Sequence, residues 1–175
     1  VTAQEGLNIR INHREREVKP ADPRQGAVLT AWCGDHFREW ATSNLDPTHL
    51  KQQARTFVAD IPVAKGGPQP QAGEPLQAEF ATVCQVDPRR VSLDEKFAMC
   101  QAEQAKLAAL DPRVVNAQMS FAETRERKLF ANRTRLLSQE LSRVRAYLML
   151  VLHDGGKTVY DWQMPDGSGG LEIAQ

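Results

Sequence analysis

The chain has 175 residues, 41% hydrophobic and 25% charged, with 22 basic side chains balanced by 22 acidic ones. This length suits one domain of ordinary size with a real core and room for a small appended lobe. The zero formal charge removes any global field that would draw in nucleic acid or an anionic membrane, and no apolar run approaches the roughly 18 residues of a membrane span.

Cys33, Cys84 and Cys100 are odd in number and form no Cys-x-x-Cys, which argues against a disulfide scaffold or a structural zinc knot and for a reducing, cytoplasmic setting. Val1 to Glu5 carries neither a charged leader nor an apolar signal core, so any leader would have been removed before Val1.

In chain order, Gly6 to Asn12 places Leu7, Ile9 and Ile11 on one side and Asn8, Arg10 and Asn12 on the other, a half-buried strand. Arg14 to Lys19 reads as a polar strand, and Pro20, Pro23 and Gly26 as a turn. Ala27 to Cys33 is apolar enough for an inner strand, with Gly34-Asp35 turning it into His36 to Thr42. Asn44 or Asp46 can cap a helix with Pro47 in its first turn, running to about Asp60 before Ile61-Pro62 ends it, with Leu50, Ala54, Phe57 and Val58 as its buried face. Residues 62–90 hold Pro68, Pro70, Pro75 and Pro88 with Gly66, Gly67 and Gly73 and show no sustained period. They predict an irregular crossing anchored by Phe80 and Val83.

Ser92 with Glu95 three residues on is a capping box for a helix to Leu110, with Leu93, Phe97, Cys100 and Leu107 on one face and Asp111-Pro112 as its stop. Val115, Ala117, Met119 and Phe121 then alternate with polar residues as a strand, and Arg127 to Ala131 reads as a shorter one before a turn at Asn132-Arg133. Leu136 to His153 is the long strand. Val144, Ala146, Leu148, Leu150 and Leu152 alternate with Arg145, Tyr147, Met149 and Val151, so both faces are largely apolar and the strand belongs in the middle of a sheet. Asp154-Gly155-Gly156 turns it into Lys157 to Gln163, and Met164 to Gly170 is too rich in Gly, Pro and Asp to extend the sheet. The expected fold is a single α+β domain over 1–175: a mixed, largely antiparallel sheet built from two strand meanders, with two main helices packed on it.

Little in the chain carries chemistry. His13, His36, His49 and His153 show no His-Glu pair and no i, i+4 spacing, so a helical zinc pair is absent and solvent or backbone partners are the expected reading. Cys100 on a helix face and Cys33 in an inner strand read as small core residues. Between Glu123 and Arg145, Arg125, Arg127, Lys128, Arg133, Arg135, Arg143 and Arg145 stand against Glu123, Glu126 and Glu140, seven basic residues against three acidic. These strands 125–145 could face nucleic acid or an acidic partner, making the chain a stand-alone binding module. The absence of interleaved aromatics favours solvated charges with cross-strand ion pairs instead. Gly167-Ser168-Gly169-Gly170 lacks the following helix and the lysine of a phosphate loop and reads as a turn.

Several stretches resemble, in collinear order, the amino-terminal domain of the TldD/PmbA family, also called modulator-of-gyrase proteins. They are Gln25-Gly26-Ala27-Val28 followed by Trp40 to Pro47, Val91 to Lys96, Asp111-Pro112-Arg113-Val114-Val115, Leu129-Phe130-Ala131-Asn132, and the arginine-rich strand with its Asp154-Gly155-Gly156 hairpin and late glycines. Arg133-Thr134-Arg135 departs from the small-residue turn usual at that hairpin. The resemblance implies a part of a two-domain zinc metallopeptidase that acts in peptide maturation or proteolysis on a peptide or protein substrate. It implies a homodimer, or a heterodimer with a paralogous subunit; the absence of a long apolar run argues for no membrane partner, and the balanced charge argues against nucleic acid as one. In such proteins zinc lies on a His-Glu-x-x-x-His helix of the carboxy-terminal domain, with the glutamate as base toward a metal-activated water. That motif is absent from these 175 residues, so no residue here is assigned a catalytic, cofactor-binding or metal role, and the chain is expected to be a first domain whose catalytic partner domain lies elsewhere.

Overall fold

The computed structural model describes residues 1–61, 70–71 and 73–174. Its elements are β1 (Thr2–Ile11), β2 (Arg16–Trp32), β3 (Phe37–Thr42), α1 (Pro47–Ala59), β4 (Leu76–Ala81), α2 (Leu93–Ala109), β5 (Val114–Ala131), β6 (Arg135–Asp154), β7 (Lys157–Gln163) and β8 (Asp166–Ser168), with short 3₁₀ turns at Pro88–Arg90 and Leu171–Ala174. Among the described residues the eight strands form one open antiparallel sheet in the order β3-β2-β1-β5-β6-β4, with β7 and β8 also on β6. The α+β class and the two meanders, β1 to β3 and β5 to β7, are those expected. No helix among the described residues is long and apolar enough to cross a membrane.

The chain divides into two compact units. One comprises Val1–Gln4, Pro23–Phe80 and Glu126–Gln139, the other Glu5–Asp22, Ala81–Arg125 and Glu140–Gln175. The second holds the main core. Ile9 and Ile11 of β1, Cys100 of α2, Met119 and Phe121 of β5, Val144 and Ala146 of β6 and Leu171 pack together, each at most 3% exposed. The alternation read from β1, β5 and β6 is what puts these side chains on one face, and α2 covers them. Among the described residues, the first unit buries only Ala27 and Cys33 of its apolar side chains. It adds an edge-to-face contact of Trp32 with Phe37 at 4.9 Å.

Local signals fix the helix starts. Asp46 caps α1 by accepting from the His49 amide at 2.8 Å, and Asn44 accepts from the Asp46 amide at 2.9 Å, so both candidate residues serve the same entry. The Ser92–Glu95 capping box is complete, with Ser92 N donating to Glu95 Oε2 at 2.8 Å and Glu95 N to Ser92 Oγ at 3.2 Å. The β6–β7 hairpin closes at Asp154↔Lys157 around Gly155 (φ 53°) and Gly156 (φ 83°), the pair of positive φ values that a two-residue turn of this hand requires.

Five expectations need correction. Pro20, Pro23 and Gly26 do not turn the chain, because β2 runs straight through them. Only Ala27 to Trp32 of β2 pairs with β3, so both prolines stand beyond that register, in a stretch of β2 with no β3 partner, where proline is better tolerated than in a strand paired on both sides. Val115 to Phe121 and Arg127 to Ala131 are one strand, β5, with no break between them. The crossing contains an edge strand, β4, and Phe80 and Val83 are 57% and 88% exposed rather than anchors; Pro62, Gly66, Gly67 and Pro68 lie outside the described residues. The α1 face closes only in part: Leu50, Ala54 and Phe57 are half-buried, but no α1 residue is fully buried and Val58 is 64% exposed. Finally, Asp166–Ser168 does extend the sheet: Arg143↔Ser168 and Arg145↔Asp166 pair, and Ala146 N donates to Pro165 O at 2.9 Å, so the proline serves as acceptor only.

Candidate functional site

A cleft of about 720 Å³ lies wholly within the second unit. Its walls are Glu5 and Gly6 of β1, Glu123 to Arg125 of β5, Glu140 and Ser142 of β6, and the segment Thr82 to Arg90. Gly6 allows β1 to approach β5 here, because a Cβ would collide with the Glu123 carbonyl. The 82–90 segment leaves the sheet at Thr82, whose amide donates to Glu140 O at 2.9 Å and whose hydroxyl accepts from Ser142 N at 3.1 Å.

A single carboxylate holds the far side of that segment. Glu172 accepts from the amides of Gln85 (3.1 Å), Val86 (3.0 Å) and Gly170 (2.7 Å), while Leu171 N donates to Val86 O at 2.9 Å. The glycine run that resembled a phosphate loop therefore serves packing, since a Cβ at Gly170 would strike the Val86 carbonyl. The backbone bonds from Gly170 and Val86 pull the Glu172 carboxyl from its ordinary 4.5 down to about 2. A folded-state value below the unfolded one contributes stability that is full above about 4.5 and is lost as pH falls toward 2. Amide exchange at Gln85, Val86 and Gly170, followed by NMR, is accordingly expected to accelerate, relative to the Phe121 and Val144 amides, as pH drops through that window. In Glu172→Gln those amides are expected to exchange quickly at every pH.

Charges line the cleft in alternation. Arg125 Nη2 meets Glu140 Oε2 at 2.7 Å and its Nη1 lies 3.6 Å from Glu5 Oε1, while Arg89 pairs with Asp87 at 2.6 Å and lies 3.8 Å from Glu140 Oε1. Behind Glu123, Lys96 Nζ stands 2.7 Å from Oε1 and is 6% exposed. Two buried atoms of these lining residues, Glu123 Oε2 and Arg125 Nε, have no hydrogen-bond partner among the described residues. Both atoms are out of reach of solvent, so what the cleft surface itself presents is the set of paired charges of mixed sign. Neither Lys96 nor the convergence of Glu5, Arg125 and Glu140 was read from the sequence. Lys96 is one residue before Phe97 on the helix and four before Cys100, a spacing that could have put it on the buried face.

The sequence candidates are scattered. His13 contacts Asn116 at 2.6 Å, His36 its neighbour Asp35 at 2.5 Å and His153 the Thr158 hydroxyl at 3.1 Å, and the His49 ring lies 6.2 Å from that of Trp40. Cys33 and Cys100 are buried, and burial pushes the Cys100 thiol up to about 11, the wrong direction for a nucleophile. Among the described residues no three His, Cys, Asp or Glu side chains converge on a metal position, and no step through a metal is assigned to them. Of the basic strands 125–145, Arg125 pairs with Glu140, Lys128 with Glu126 at 3.1 Å and Arg145 with Asp166 at 3.2 Å; Arg135 donates to the Glu74 carbonyl at 3.1 Å.

The family model for the PmbA/TldA metallopeptidase central domain matches residues 86–175. The chain belongs to the PmbA/TldD family. The sequence resemblance points to the amino-terminal domain, whereas the match carries the label of the central one and begins inside the cleft wall at Val86. None of the curated proteins matches the sequence. Solved PmbA/TldD-like structures share the fold. A protein described as a modulator of DNA gyrase from Bacteroides thetaiotaomicron has a TM-score of 0.66 at 10% identity, over 96% of this chain and 40% of its own. One of the same description from Thermotoga maritima has a TM-score of 0.66 at 13% identity, over 93% and 37%. TldE from Thermococcus kodakarensis has a TM-score of 0.53 at 12% identity, over 93% and 38%. The chain therefore spans about two fifths of the length of these PmbA/TldD-type structures.

Proposed function

We propose that the chain is a non-catalytic part of a PmbA/TldD-type zinc metallopeptidase, a hydrolase of peptide maturation or proteolysis in the cytoplasm. In this reading it helps enclose peptide substrate and form the dimer, homomeric or with a paralogous subunit, while a different domain holds zinc. The match of a metallopeptidase central domain to residues 86–175 carries the proposal. The cleft supports it, because a peptide main chain presents a donor and an acceptor in every amide and a lining of carboxylates and guanidinium groups can answer both. The balanced lining, in which Glu5, Asp87, Glu123 and Glu140 face Arg89, Arg90 and Arg125, suits a neutral backbone better than a polyanion.

Metal analysis and a photoreactive peptide test this on the purified chain. It is expected to hold no stoichiometric zinc and to leave peptides uncleaved, while a benzophenone-bearing peptide labels the 82–90 segment, as read by mass spectrometry. One tightly held zinc per chain, or labelling that misses the cleft, rejects the proposal.

A further inference from the structure

Strand β7 is an open edge. Among the described residues it pairs with β6 alone, and it contains no proline. Natural edges are usually blunted by proline, a bulge or a covering element. Here Val159, Tyr160 and Trp162 stand 61%, 70% and 53% exposed, so each face of the edge carries an apolar side chain, and the charges present are Lys157 and Asp161 on either side of Val159. The two-residue turn makes Asp154↔Lys157 a hydrogen-bonded pair, which directs the main-chain groups of Lys157, Val159 and Asp161 toward β6 and those of Thr158, Tyr160 and Trp162 outward. The outward Trp162 amide is already held by Asp161 Oδ1 at 2.8 Å.

We infer that a second copy of this chain pairs with β7, antiparallel and in one register, centred on Val159. The inference rests on the dimer reading proposed above and locates its contact. A two-fold axis normal to the sheet keeps each side chain on its own face, so the strand can meet its copy only about a single residue. Centring on Asp161 opposes two carboxylates. Centring on Tyr160 sets Asp161 against Val159 and needs the Trp162 amide that Asp161 holds. Centring on Thr158 sets Lys157 against Val159.

Centring on Val159 makes every opposition favourable. Lys157 meets Asp161 of the second copy twice over, Val159 meets Val159, Thr158 exchanges main-chain bonds with Tyr160, and Trp162 lies across Gly156, around which there is open space. Neither Lys157 nor Asp161 has an ion-pair partner among the described residues, so these two charges, placed symmetrically about Val159, are the self-complementary feature that selects a copy of this chain.

Sedimentation velocity over a concentration series tests this. The protein is expected to dimerise. Lys157→Asp and Asp161→Lys should each weaken dimerisation by at least about tenfold, by placing like charges opposite each other, and the two together should restore it. In a Cys84→Ser background, Val159→Cys is expected to oxidise to a covalent dimer, because directly opposed residues of a non-hydrogen-bonded pair have Cα atoms about 4.5 Å apart, within disulfide reach. Tyr160→Cys, which faces Thr158, is expected not to. A protein that stays monomeric overturns the dimer reading and this contact together. A dimer indifferent to both charge reversals and free of the Val159 cross-link leaves the dimer reading standing and overturns the β7 contact.

Discussion

Replacing Lys96 with alanine is expected to destabilise the protein by about 3–5 kcal/mol, the range for breaking a buried ion pair from one side. The Lys96 side chain is 6% exposed and that of Glu123 19%, at 2.7 Å. Glu123 Oε2 already lacks a partner, so removing the ammonium would strand a carboxylate that is largely out of water with neither oxygen bonded. Lys96→Met combined with Glu123→Leu should cost far less than Lys96→Ala alone, because the desolvated charge then leaves with its partner. Urea unfolding of the single and double variants reads both numbers. A Lys96→Ala cost under about 1 kcal/mol would mean that Glu123 is hydrated through the cleft, and that the pair contributes no more than a surface salt bridge.

Lys96 also shows where sequence reading reaches its end. The start of α2 was legible because a capping box is local: Ser92 and Glu95 determine it wherever the helix lies. The phase of the helix was not. Counting apolar residues selects Leu93, Phe97, Cys100 and Leu107, yet Leu93 is 46% exposed and Lys96 is buried in its place. A charged side chain scores against burial until its partner is known, and Glu123 lies 27 positions away on β5.

The sheet divides the same way. The Gly34 and Gly155-Gly156 turns were legible from adjacent residues, and so were β1, β3, β6 and β7. Strands β4 and β8 were not, because a short edge strand needs no hydrophobic period and tolerates proline and glycine; what makes it a strand is β6 beside it. The cleft was invisible for a related reason. Glu5, Arg125 and Glu140 come together only because β1 lies next to β5 rather than beside β3 at a sheet edge, an order that no local pattern encodes. The ion pair of Arg125 with Glu140 is nevertheless of the cross-strand kind that the alternating charges of β5 and β6 suggest.

Two apolar side chains that the period treats alike are expected to respond in opposite ways. Phe121 and Val58 both sit at positions that the sequence assigns to a buried face. Phe121 is 1% exposed, enclosed by the cluster of Ile9, Ile11, Cys100, Met119, Val144 and Ala146, and Phe121→Ala should cost about 3–5 kcal/mol through lost transfer energy and an unfilled cavity. That is a large part of the roughly 5–15 kcal/mol that holds an ordinary domain together, so the variant is expected to unfold far more readily, while Phe121→Leu, which keeps most of the volume, loses much less. Val58 is 64% exposed on a helix with no fully buried residue, and Val58→Ala exchanges a β-branched residue for the best helix former at a site with little to lose. Its expected effect is within about 0.5 kcal/mol of zero, with a slight gain the natural direction. Denaturant midpoints for the three variants decide the matter: a Val58→Ala cost approaching that of Phe121→Ala would show that Val58 is covered in solution, and its end of the α1 face would then be a contact surface rather than a solvated one.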